Sequence, residues 1–377
     1  MQESLKGRSV AVIGGGLGGL SASLSLRAFG ADVTVYEQAE ALREVGAGIQ
    51  LTPNAVRVLN VLGLVGALEA VSVRSQALVP VDAHSGRVLA RFSLDKVGAD
   101  APYRFIHRGA FLALMAKVAR ARGVVIKTGQ AVQAEDPALA GYDLVIGAEG
   151  LHSKSRSRLN GADEPFFTGQ VAWRAVLPIA AAPEARVWMG KGKHVVSYPL
   201  SSESLNIVAV QECTEWAAEG WHHRDDPAHL RAAFDDCGTE LRELVAQVED
   251  VALWGLFRHP VAARWHDGAR LALLGDAAHP TLPFLAQGAN MAIEDGYVLA
   301  RCLAEEAKQA AALARYQELR VPRVSRAIAE ANANARRYHM GPVMGLGRAV
   351  VLGALGKLAP ERLLARYDWL YGFDVTA

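Results

Sequence analysis

"SVAVIGGGLGGLSASLSLRAFGADVTVYEQ", residues 9–38, decides how this chain folds. The apolar, β-branched run SVAVIGG ends in glycine, as a buried parallel strand does. LGGLSASLSLRAFG (17–30) carries small and apolar residues at helical spacing, with Gly30 as its stop. ADVTVYEQ (31–38) is a second strand that ends at Glu37. Together they form one βαβ unit, with Gly14, Gly16 and Gly19 at its first turn in G-x-G-x-x-G spacing. Such glycines permit a tight turn and let the backbone approach a pyrophosphate, while the helix start at Leu17 offers N–H groups and a favourable dipole. Glu37, with Gln38 beside it, can accept hydrogen bonds from an adenosine ribose, and its charge disfavours a 2′-phosphate. The unit therefore reads as a site for FAD or NAD rather than NADP, and the motif alone does not choose between them.

Composition narrows the classes. A length of 377 residues accommodates two domains, and 51% hydrophobic with 21% charged residues is a folded composition. A net charge of +1 leaves no broad basic field for a nucleic acid. The basic run HSKSRSR (152–158) reads as a solvated helix start. Cys213, Cys237 and Cys302 lie far apart, which argues against a disulfide framework, a zinc site or a redox dithiol. The N-terminus lacks a signal-peptide layout, and the apolar tail 343–359 is interrupted by Arg348 and Lys357. The expectation is a cytoplasmic protein with no membrane partner.

Further along, TPNAVRVLNVLG (52–63) predicts a helix with Thr52 as cap and Pro53 at its first position. Residues 74–94, centred on HSGRV, predict a hairpin inserted as an antiparallel element into the parallel sheet. Residues 108–123 predict an amphipathic helix, and VVIKTG and YDLVIGAEG two more strands. From about 165 to 265 tryptophans and alternating strands such as VVSYPL and LNIVAV replace βα units, so a second domain on an antiparallel sheet is expected. Trp173, at the start of one such strand, reads as core. The chain then returns at ARLALLGDAAHP and ends in helices.

LALLGDAAHPTLPFLAQGANMAIEDG (271–296) chooses the cofactor. Gly275-Asp276 at a strand end places a carboxylate where it can hold a polyhydroxyl chain such as ribitol. Gly288, Ala289 and Asn290 begin a helix whose N–H groups would stabilise negative charge on a reduced flavin ring. NAD has neither feature, whereas an extended FAD needs both ends. The expected fold is thus α/β: a Rossmann-like FAD-binding domain from residues 1–160 and 269–377, the latter with C-terminal helices, and an inserted antiparallel-sheet substrate domain at 161–268.

Three stretches carry a resemblance: residues 10–38, YDLVIGAEGLHSKSR (142–156) and LLGDAAHPTLPFLAQGANMAIEDG (273–296). They resemble the three signatures of the class A FAD-dependent aromatic hydroxylases, which are flavoprotein monooxygenases. The likeness is nearest to the salicylate, 3-hydroxybenzoate and 6-hydroxynicotinate hydroxylases and extends to the closing DWLYGFD (368–374). It implies that NADH or NADPH reduces the flavin and that O2 forms a flavin C4a-hydroperoxide. That species would hydroxylate a phenolic or hydroxypyridine carboxylic acid. A larger polyketide- or quinolone-like substrate, or a flavin-binding protein without turnover, are the alternatives, and a homodimer is the common state.

On a strand His194 and Tyr198 share a face, and the similar hydroxylases carry His-x-x-x-Tyr-Pro here. The resemblance makes His194 the base and Tyr198 its partner at the substrate hydroxyl. It places Arg108 at the flavin or its ribityl-phosphate, Arg43 near the adenosine half or the mobile flavin, and Pro283 and Gln287 at the flavin edge. His279 reads as an organiser of its loop, and His222-His223 as surface residues rather than metal ligands. Two departures stand out. Glu149 replaces the usual Asp of the middle motif, which puts NADH affinity in question. Ala286 stands where Gly is usual, which would tighten the loop beside the flavin.

Overall fold

The computed structural model describes residues 4–42, 47–95, 97–214, 223–340 and 365–377. Arg43, His222 and the apolar tail 343–359 lie outside the described residues.

Five parallel strands form the first sheet, in the order Leu271–Leu273, Leu144–Gly147, Ser9–Ile13, Asp32–Tyr36, Val125–Lys127. Ser9–Ile13 lies at the centre, and its Val10, Ala11 and Val12 are buried on both faces. That double burial is why the strand reads as a continuous apolar run. The strand Leu271–Leu273 adds the sheet edge after the chain has built its second region.

The helix Leu17–Ala28 packs tightly on the helix Gly288–Glu305 through small residues. A Cβ on Gly296 would lie 2.6 Å from the Ala22 backbone nitrogen, so only glycine fits there. Ser21 Oγ donates to the Ile293 carbonyl at 3.2 Å across the same contact. This contact locks two ligand-shaped helix starts, far apart in sequence, into one body.

The second sheet has eight strands, in the order Arg224–Asp225, Val251–Arg258, Phe166–Leu177, Leu205–Glu212, Lys193–Pro199, Glu184–Gly190, Ala77–Asp82, Phe92–Ser93. The hairpin expected at 74–94 exists, closed by Asp82 N–H to the Arg87 carbonyl at 2.9 Å, but it does not enter the parallel sheet. Ala77–Asp82 instead pairs parallel with Glu184–Gly190, which makes the second sheet mixed. The alternation of buried Ala77, Val79 and Val81 fits a sheet with one covered face, and the core of the second region supplies it. Helices Pro227–Ala233 and Thr239–Ala246 cover that face, over Trp173, Val195, Ile207 and Ala209.

Gly48–Leu51, Arg104–His107 and Ser72–Arg74 form a small antiparallel sheet between the two larger ones. The helix Gln309–Tyr338 runs back along the molecule, and its C-terminal end reaches the second sheet at His194. Among the described residues no helix is long and apolar enough to cross a membrane.

Candidate active site

At the first turn each glycine has a separate reason. Gly14 has φ +107°, and a Cβ there would lie 2.4 Å from the Ala148 carbonyl oxygen. A Cβ on Gly19 would lie 2.0 Å from the Gly14 carbonyl oxygen, so both glycines serve the loop itself. Gly16 has no protein atom within 4 Å of its missing Cβ and, with Leu17, faces a cleft. That open space beside the start of a helix suits a pyrophosphate. Glu37 sits at the strand end and ties it to the loop, accepting from Gly15 N–H at 2.7 Å and Ala39 N–H at 2.9 Å. Gln38 is exposed beside it.

The cleft has a volume of about 270 Å³ and opens to solvent. One wall is Gly288 and Ala289 at the start of the helix Gly288–Glu305, with Asp276, Pro283 and Gln287 around them. The Asp276 side chain is exposed to the cleft. The loss of water between the cleft walls raises its carboxyl above the usual range, and His279 and Arg108 pull it back down. Arg108 begins the helix Arg108–Ala121 and lines the same space. Its cation lies at the positive end of a helix dipole, a placement that helix stability does not favour.

The opposite wall is one face of the second sheet. The register pairs His194 with Val210, Val196 with Val208, and Tyr198 with Asn206, while Arg174 lies opposite Val208 from the other side. Period-two alternation then puts His194, Val196, Tyr198, Val208, Val210 and Arg174 on the cleft. His194 is 2% exposed and in ring contact with Phe284 and Tyr338. Its Nδ1 lies 2.7 Å from Nε2 of His339. Burial, and then the neighbouring His339, hold the His194 imidazole well below its ordinary pKa. Tyr198 stacks on Phe105 at 5.0 Å, and burial raises its phenol above the ordinary value. The Arg174 guanidinium lies 4.3 Å from the Trp254 ring centre. Trp173 points to the covered face, where its Nε1–H donates to Asp225 at 2.7 Å.

A buried ionic lattice behind the Gly288 helix start escapes a sequence reading. Asp295 accepts from Gly275 N–H at 3.0 Å, pairs with His279 Nε2 at 2.5 Å and accepts from Arg320 at 2.6 Å. Glu294 accepts from Arg320, Arg323 and Asn54 at 2.6–2.7 Å. Arg323 also donates to the Trp369 and Leu370 carbonyls, so the closing segment is tied in. The signal was present: two adjacent acids in AIEDG and two arginines in RVPR each interrupt an amphipathic helix. His279 is fully buried, stacked on Trp265, and holds this lattice together.

Neighbouring residues add buried hydrogen bonds around the lattice. Thr52 occupies the cap position but makes no capping bond; its hydroxyl donates to Asn54 Oδ1 at 2.6 Å. The Gln287 amide is fully buried, donating to Thr52 Oγ1 and accepting from Asn54. Asn290 accepts from Thr52 N–H and donates to the Gln50 carbonyl, bracing the small sheet against the helix start. Arg156 of the basic run is buried rather than solvated, and donates to the Pro260 and Ala278 carbonyls.

Both departures acquire a local account. Glu149 accepts from Ser153 Oγ, Ser155 Oγ and Ser155 N–H at 2.6–3.0 Å, so its carboxylate braces the first turn of the helix Lys154–Asn160, which Ser153 caps. Ala286 adopts φ +53°, ψ 35°, and is the one non-glycine residue at positive φ among those described.

A family model described as "FAD binding domain" matches residues 8–331. The chain is 36% identical over 390 residues to 3-amino-4-hydroxybenzoate 2-monooxygenase PtmB3 of Streptomyces platensis, covering 97% of this chain and 96% of that one. It is 32% identical to the 3-hydroxybenzoate 6-hydroxylase of Polaromonas naphthalenivorans (strain CJ2), covering 97% and 96%. Among solved structures, Klebsiella pneumoniae HpxO complexed with FAD and uric acid aligns with a TM-score of 0.82 at 26% identity, covering 95% of each chain. The glycine turn open at Gly16 and the Asp276 carboxylate beside the Gly288 helix start fit the two ends of one FAD. The chain belongs to the class A FAD-dependent aromatic hydroxylases, the flavoprotein monooxygenases, and FAD is its cofactor.

Proposed function

We propose that the enzyme uses NADH or NADPH and O2 to hydroxylate a small aromatic carboxylic acid bearing a phenolic or hydroxypyridine hydroxyl. The carrying observation is the convergence of His194, Tyr198 and Arg174 on one cleft, opposite Asp276 and the Gly288 helix start. FAD, when bound, supplies the oxygen chemistry; the residues of this chain orient and activate the substrate.

An ionised ring oxygen makes its ring a stronger nucleophile. His194, kept neutral at physiological pH by burial, accepts the hydroxyl proton. Tyr198, whose proton burial holds firmly, donates a hydrogen bond to the same oxygen. Arg174, backed by the Trp254 indole, faces the carboxylate and matches it in charge and fork geometry. Arg108 and Asp276 serve the flavin side, with the Gly288 and Ala289 N–H groups offering positive charge to a reduced ring. The acid class has support in two relatives named for hydroxybenzoates.

Purified holoenzyme is mixed with NADH in air and 3-amino-4-hydroxybenzoate, 3- or 4-hydroxybenzoate, salicylate or 6-hydroxynicotinate in turn. The expected outcome is that one acid accelerates NADH loss and yields hydroxylated product with little peroxide. A flat rate with every acid, and with NADPH in place of NADH, would overturn the reading.

A further inference from the structure

His194 does not end at the cleft. Its Nδ1 lies 2.7 Å from His339 Nε2, and His339 Nδ1 lies 2.8 Å from Glu212 Oε1. His194 and His339 are 2% and 8% exposed, whereas the Glu212 side chain is 57% exposed. Three titratable groups thus run in hydrogen-bonded file from a buried ring on the cleft to bulk water. We propose that His194, His339 and Glu212 form a proton wire that carries the substrate hydroxyl proton out of the cleft. The proposal rests on the reading of His194 as the base.

The hydrogen-bond polarity is self-consistent. A carboxylate at Glu212 can only accept, so His339 presents Nδ1–H to it and turns the Nε2 lone pair toward His194. His194 must then donate from Nδ1, which leaves its Nε2 as the lone-pair nitrogen of a ring that lines the cleft. When Nε2 takes the substrate proton, Nδ1–H of His194 passes to His339 Nε2, and Nδ1–H of His339 passes to Glu212 and water. One proton leaves, no charge is stranded on the buried imidazoles, and the reverse sequence returns a proton to the product.

Neighbouring groups do not short-circuit the file. Tyr338 lies against His194 with its phenol raised by burial, and Phe284 is apolar. Lys193 turns to the other side of the sheet, onto Asp236 and the Ala233 carbonyl. Arg337 bonds Glu330 and Asn334. Burial lowers His339 and Glu212 raises it again, so the carboxylate compensates in part for the loss of water around that ring.

The test avoids turnover. 4-Hydroxy-3-nitrobenzoate is a phenolic acid whose ionisation is visible by absorbance, and its ring pattern matches the acid named for one relative. Oxidised holoenzyme is mixed with it in a stopped flow at a pH below the probe's own phenol pKa, so that the phenol arrives protonated, and the rate of its ionisation on the enzyme is compared across variants. H339N should slow ionisation by about 10–100-fold and E212Q by roughly 5-fold, less than the roughly 10²–10⁴-fold of a group acting directly on the reacting proton, because both relay it. E212D should restore the E212Q loss, and the Kd for benzoate, which has no phenol to ionise, should stay unchanged in all three. Wild-type ionisation rates in both H339N and E212Q, with H194N impaired, would overturn the wire and leave the base assignment standing. An unimpaired H194N, or a wild-type enzyme that binds the probe without ionising it, would overturn the reading of His194 as the base and the wire with it. Glu212 lies at the surface, so E212Q decides the question even if H339N does not fold.

Discussion

At the amino-terminal turn, Gly14, Gly16 and Gly19 shape one end of the cleft with backbone alone, within a single βαβ unit. At the other end, the loop from Gly275 to Asn290 is held through its own His279 and by side chains from three other segments: Thr52 and Asn54, Glu294 and Asp295, and Arg320 and Arg323. The first end depends on where a Cβ cannot go. The second depends on charges that cannot be left unpaired. Mutations should therefore fail differently at the two ends.

The largest effect is expected at Glu294. In E294A two buried guanidinium groups lose their shared carboxylate, which should destabilise the fold by about 3–5 kcal/mol. Urea unfolding of the apoprotein measures it. A loss near zero would mean that water enters the lattice and that the helix start is not held ionically.

Gly14→Ala tests the backbone end. Its Cβ would meet the Ala148 carbonyl at a φ that L-residues rarely adopt, at a cost of about 2–4 kcal/mol. FAD should be lost with the stability. Gly16→Ala sharpens the comparison, because no protein atom lies near that Cβ. The apoprotein should unfold at its wild-type urea midpoint while FAD affinity, read by flavin fluorescence, falls by about tenfold or about 1.4 kcal/mol. Equal losses of stability in both variants would erase the distinction between a loop glycine and a phosphate glycine.

Acid separates the ends again. Burial alone would raise the Asp295 carboxyl, but His279 and Arg320 hold it down to about 2. A carboxyl depressed in the folded state stabilises fully above its unfolded value near 4, and that contribution fades as pH falls through 2. The amount is on the order of 2 kcal/mol. Urea midpoints between pH 5 and 2 should fall more steeply for the wild type than for D295N. Parallel slopes would show that Asp295 is not what ties the loop at low pH.

This contrast also sets what the sequence discloses. Glycine spacing, strand and helix start lie within thirty residues, so the first end is legible from periodicity and steric rules. Likewise His194 and Tyr198 share a face because a strand has period two, whatever it pairs with. Register across distant segments carries no such local mark. The hairpin at 74–94 is visible as a hairpin, but not the parallel pairing of its first strand with Glu184–Gly190. Arg174 reads as an ordinary strand residue until the sheet turns it to the same cleft face as Tyr198, one strand away across Leu205–Glu212. His339 and Glu212 are 127 positions apart, and nothing in either neighbourhood announces the other. The charged pairs at 294–295 and 320–323 were unusual for helices with apolar faces, and that is the one clue pointing inward.

Ala286 offers the smallest and finest test, because it sits where the two kinds of control meet. Its φ of +53° demands what glycine gives without strain, yet its carbonyl accepts from Asn290 and so belongs to the side-chain scaffold. Left-handed backbone costs an L-residue about 1–2 kcal/mol, and glycine returns about 0.5–1 kcal/mol of that through its unfolded-state entropy. A286G should therefore stabilise the apoprotein by roughly 0.5–1 kcal/mol, seen as a rise of about 1–2 °C in Tm. If the scaffold sets the loop, FAD affinity should not change, since Asn290 holds the same carbonyl in either residue. If affinity falls while stability rises, the methyl group itself restrains the loop beside the flavin, and the departure from glycine serves the cofactor at the expense of the fold.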